Sequence, residues 1–156
     1  MSESAEYILR HVDRTFGALE WHEDDSCWET RIPFKGQTVS VDVYAGEGTT
    51  DPSPEEQLEA IETARKYLEE LPEVELSLRG RASGEIVEAV KSQGVNGSHP
   101  EEQISDGLEL HSISLHAGGM ALHYRNPESL PGWTVTIYGS EDLSFSGVDM
   151  WETHGI

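Results

Sequence analysis

Apolar side chains alternate with polar ones over two stretches of this chain and recur at helical spacing between them. From Phe16, Leu19 and Trp21 alternate with Glu20, and the run His22 to Ser26 is a polar turn. Trp28, Thr30 and Ile32 follow at period two. Lys35-Gly36 suits a two-residue hairpin loop, which pairs Phe34 with Gln37, Ile32 with Val39, Thr30 with Val41 and Trp28 with Val43. A slip of one residue would set Ile32 against a polar neighbour, so turn and pattern fix one register.

A helix start follows at Ser53-Pro54-Glu55-Glu56, with Ser53 as cap, Pro54 at the first helical position and Glu56 closing a capping box. Leu58, Ile61, Ala64, Leu68 and Leu71 predict its buried face. Pro72 is expected to end or restart it. Val74, Leu76 and Leu78 then alternate like a strand, and a helix is favoured again from about residue 83. Residues 92–107, rich in Gly, Asn, Ser and Pro, read as a long loop.

A second meander spans residues 108–151. A Gly118-Gly119 loop would pair Ala117 with Met120, Leu115 with Leu122 and Ile113 with Tyr124. Ser112, Ser114, His116, Ala121, His123 and Arg125 would lie on the other face. Trp133, Val135 and Ile137 continue at period two. Leu143 and Phe145 have opposite parity to Val148 and Met150, so a bulge near Gly147 would bring all four to one face. The expectation is one α+β domain over 1–156: an N-terminal segment 1–14, a meander 15–45, helical material 53–91 packed on one sheet face, the loop, and the second meander. The pattern leaves open whether the meanders share a sheet.

The first meander resembles, in Phe16-Gly17-Ala18-Leu19 and in Trp28 with the strand after it, a group of bacterial domains of unknown function that share an F-G-x-L strand, a Trp strand and a following helix. The closing run Leu122-His123-Tyr124 and Gly132 to Ile137 is similar to their final meander, although members often carry Gly-His where this chain has Gly132-Trp133. The resemblance implies this fold and, for some members, a place in toxin-immunity neighbourhoods. It implies no catalytic residue.

Charge narrows the function. The 156 residues hold 30 acidic and 10 basic side chains, a formal net charge of −20. Arg125 is the only Lys or Arg after Lys91, so nucleic acid and anionic membrane are poor partners and a basic protein is a good one. Without a spanning apolar run or a leader pattern, a soluble cytoplasmic protein is expected. The lone Cys27 has no CxxC partner.

His111, His116 and His123 crowd one hairpin, and the predicted register makes His116 and His123 diagonal neighbours on one face. No third ligand, HExxH or paired Cys accompanies them, so no metal and no cofactor is expected. The clusters Glu23-Asp24-Asp25 and Glu47 to Glu56 lack calcium-loop spacing and read as solvated surface. Trp21, Trp28 and Trp133 are in phase with the core. Trp151, out of phase, is a candidate interface anchor. The leading expectation is a non-enzymatic, acidic protein-binding module, an immunity-like inhibitor in its fuller form, with Trp151, His116, His123 and Arg125 as partner-binding residues and a homodimer through an edge strand as a further option. The rival is a metal-dependent or hydrolytic enzyme working from the His116/His123 face.

Overall fold

The computed structural model describes residues 7–45, 52–92, 106–126 and 130–152. Eight strands form one sheet in sequence order: β1 (Arg10–Asp13), β2 (Gly17–His22), β3 (Cys27–Phe34), β4 (Gln37–Tyr44), β5 (Glu109–His116), β6 (Gly119–Asn126), β7 (Leu130–Ser140) and β8 (Phe145–Glu152). All neighbours are antiparallel except β4 and β5, whose parallel pairing joins the two meanders. A parallel neighbour needs a crossover, and the single helix α1 (Pro54–Ser92) provides it. The class is therefore α+β, one helix on one face of a mostly antiparallel sheet. Among the described residues no helix is long and apolar enough to cross a membrane.

The β3–β4 hairpin has the expected register from Phe34↔Gln37 to Trp28↔Val43. Lys35 and Gly36 both adopt positive φ, 48° and 84°, the geometry of a primed turn whose twist suits flanking strands. Trp28, Ile32, Val39 and Val41 are buried together beneath α1. The expected bulge in the second meander is present as well. Tyr138 faces Gly147 while Gly139 faces Phe145, so Ser146 is the extra residue, and Phe145, Val148 and Met150 all flank the core. A strand not anticipated, β1, adds an edge beside β2.

Three expectations are corrected. The β5–β6 loop is Ala117-Gly118, not Gly118-Gly119, so Leu115 faces Met120 and Ile113 faces Leu122. Gly119 is needed in the strand itself. Its φ is +146°, and a Cβ there would run into the carbonyl oxygen of Gly139 on β7. The shift conserves parity, so Ser112, Ser114, His116, Ala121, His123 and Arg125 keep their expected face.

The second correction is Leu58, which is 39% exposed. Gln57 occupies the inward position instead. Its side chain accepts from the Ile8 amide (2.9 Å) and donates to the Ile8 carbonyl (3.0 Å), and its own carbonyl takes the Trp28 indole N–H (3.0 Å). Burial of the Gln57 amide is tolerated because its polar atoms find partners.

Thirdly, α1 does not stop at Pro72. It begins as predicted, with the Ser53 amide donating to Glu56 Oε1 (3.0 Å) and the Glu56 amide to Ser53 Oγ (3.1 Å), and then runs unbroken for 39 residues. Residues 73–82 are helix, not strand. Ile61, Ala64, Tyr67, Leu71, Glu75, Leu78, Ala82 and Ile86 form one continuous buried stripe at steps of three and four, and Pro72 is exposed behind it. Glu75 is the polar member. Although burial opposes its charge, hydrogen bonds from Arg79, Lys35 and the Tyr124 hydroxyl outweigh that and hold its carboxyl below the usual range. At about 1.5 Å per residue α1 is roughly 58 Å long against about 26 Å for an eight-residue strand, so it crosses the sheet from the β4 side to β7 and β8. Of the loop expected at 92–107, residues 93–105 lie outside the described residues.

Candidate partner-binding surface

The sheet face away from α1 carries the predicted site residues. Strand pairing sets them in rows: Ser112, His123, Thr136 and Asp149 in one, and Glu109, Arg125, Thr134 and Trp151 in the next. His123, Arg125 and Trp151 thus share one patch. His116 has the same parity but stands at the far end of β5 beside the turn, and it is not brought to His123. The neighbour of His123 is His111, with ring centroids 6.5 Å apart. Strict alternation would have turned His111 toward the core. A bulge between Leu110 and Ser112 re-aims it, a signal that the sequence pattern does not carry.

His123 is held from both sides. Nε2 lies 3.1 Å from Ser114 Oγ and Nδ1 lies 2.9 Å from Thr136 Oγ1, one hydroxyl at each ring nitrogen. Burial keeps its pKa below the ordinary histidine value, and burial followed by the charges of Arg125 and His123 does the same for His111. Both shifts favour the neutral ring. Ser114 and His123 have the separation of a nucleophile and its base, but the third member is a hydroxyl where such sets use a carboxylate. Among the described residues no group of three His, Cys, Asp or Glu could hold a metal ion.

Closer to β3 and β4 the same face turns acidic. Burial, then Glu29 and Asp25, raise the Asp42 carboxyl, and burial with Asp42, Asp25 and Glu29 pushes the Cys27 thiol up to about 12. A thiol so protonated is a packed side chain and a poor nucleophile.

A second feature lies between the first half of α1 and the strand ends. One cleft of about 160 Å³ is lined by Tyr44, Glu56, Glu59, Ala60, His116 and Ala117 among others. A larger one of about 560 Å³ follows, with Lys66, Tyr67, Glu69, Glu70, Glu141, Asp142 and Leu143. Thr63 and Ala117 line both, so the two form one groove. The Tyr67 hydroxyl donates to the Ala117 carbonyl (3.0 Å) and fixes the hairpin tip against the helix. Six carboxylates line the groove against one lysine, Lys66. Hydrogen bonds from Ser140 and Ser144 hold the exposed Asp142 carboxyl down at about 2, so it stays charged. Sequence reading missed this groove. The signal was present: Glu56, Glu59, Thr63, Lys66 and Glu70 follow one another at steps of three and four along one side of α1.

No family model, curated protein or solved structure matches this chain. What the surface can do is thus read from its own chemistry.

Proposed function

We propose that this chain is a non-enzymatic binding module for a basic protein. The observation that supports it most directly is the groove along α1, which six carboxylates and one lysine line. A concave surface of one sign concentrates the opposite charge and raises association rates. The fuller reading, an immunity-like inhibitor that masks a basic toxin, draws on the resemblance of the Phe16–Leu19 and Trp28 strands to domains of that setting. His116 lines the groove, while Trp151, Arg125 and His123 offer a separate contact patch on the open sheet face. Trp and Arg are the residue types that most often anchor interfaces.

A hydrolase is the second reading, favoured by the 3.1 Å approach of Ser114 to His123. The two are separated by capture from the source cell with the native chain and with a Glu59→Lys, Glu69→Lys, Glu70→Lys variant. The expected result is a basic protein retained by the native chain and lost by the variant. If neither retains a protein, and a small-molecule screen finds turnover that His123→Ala abolishes, the hydrolase reading replaces it.

A further inference from the structure

The two sheet edges differ. β1 has only four residues, carries Arg10, and ends at Asp13, whose carboxylate turns back to accept the Thr15 (2.8 Å) and Phe16 (3.2 Å) amides. Short, charged edges of this kind resist pairing. β8 has eight residues, no Lys, Arg or Pro, and its one irregularity at Ser146, which leaves Gly147 to Glu152 in regular register with β7. Among the described residues no strand pairs with its outer side. Its side chains are also unfinished as a core boundary. Phe145, Val148 and Met150 are only half-buried on the helix side, and on the other face Asp149 is exposed and Trp151 is 43% exposed.

We propose that the β8 edge receives an extended segment of the basic partner as a ninth strand, an inference that rests on the function proposed above. Backbone hydrogen bonds supply affinity in such strand addition, and alternate side chains supply specificity. Here the incoming segment carries apolar residues on the helix side, completing the cover of Phe145, Val148 and Met150. It carries Lys or Arg on the other side, next to Asp149 and over the Trp151 indole. Charge selects this occupant over a second copy. Two β8 strands paired about a twofold axis near the middle of the strand would bring Asp149 of both chains close together on the open face, and each chain already bears −20. The acidic groove ends at Glu141, Asp142 and Leu143, in the turn that opens β8, so the same field that attracts the partner delivers it to this edge.

The test uses the full chain, a synthetic peptide alternating Lys and Val, and a scrambled peptide of the same composition, with amide hydrogen exchange read along the sheet. Alternate amides of β8 should slow on binding the alternating peptide while those of β1 do not, and the alternating peptide should bind about tenfold tighter than the scrambled one. Asp149→Lys and Trp151→Ala should each weaken it by about tenfold, and both side chains are exposed, so the fold should persist. Equal binding of the two peptides, or protection confined to the groove, overturns the edge assignment and leaves the basic-partner reading standing. Protection of β8 that grows with protein concentration in the absence of peptide overturns it in favour of a second copy. Binding of neither peptide at low salt overturns both proposals.

Discussion

Ile32 sits where turn chemistry and burial agree: it faces Val39 across the hairpin and is 6% exposed. Replacing it by Ala should cost about 2 to 5 kcal/mol, read from the denaturant midpoint, because the deleted methyl groups leave a cavity beneath α1. Its partners Trp28, Val39 and Val41 were legible in the sequence for the same reason, since a two-residue loop leaves one register. Gln57 was not legible. Nothing in a hydrophobic pattern shows that an amide will be buried to satisfy the backbone of Ile8, 49 residues away. At His123 the linkage has a definite sign. Its folded pKa lies below the ordinary 6.5, so the stability that it contributes is complete above that value and is lost as pH falls through the lowered one. His123→Gln should flatten the stability profile below about pH 6.5, as thermal melts across that range would show.

At the scale of elements, α1 shows how one polar residue can hide a helix. Its buried stripe would read as continuous from Ile61 to Ile86 were Glu75 apolar. With Glu75 in the way and Pro72 just before it, the alternation of Val74, Leu76 and Leu78 resembles a strand, yet Leu76 is 60% exposed. The Lys35, Arg79 and Tyr124 partners that make a buried carboxylate acceptable come from the turn after β3, from α1 itself and from β6, so no local window contains the explanation. Proline inside a helix costs up to about 3 kcal/mol, and Pro72 is on the exposed side. Pro72→Ala should therefore stabilise the protein by about 1 to 3 kcal/mol in urea unfolding, whereas Glu75→Gln should destabilise it by about 3 kcal/mol by leaving its cations without a counter-charge. The candidate surface divides in the same way. Parity placed His123 and Arg125 on one sheet face and Trp151 out of phase with the core in advance, but their shared patch depends on the β6–β7–β8 register, and the groove depends on α1 lying against the Ala117 turn.

For the molecule as a whole, the balance of 30 acidic to 10 basic side chains sets how it meets others. Association with a basic protein should slow steeply between 0.1 M and 1 M salt in stopped-flow measurements, because the screening length falls from about 10 Å to about 3 Å, while dissociation changes less. The parallel seam between β4 and β5 has a consequence of another kind, in the order of assembly. Every other strand pair joins neighbours in the chain and closes a short loop, whereas Val41 meets Ile113 across 72 residues. Chain closure over that distance is an entropic barrier that the hairpins do not face. The seam is therefore expected to be the slow step, forming as α1 docks both meanders. Weakening it from either side, by Val41→Ala or Ile113→Ala, should slow refolding in stopped-flow measurements, as the two hairpin-built halves take longer to join.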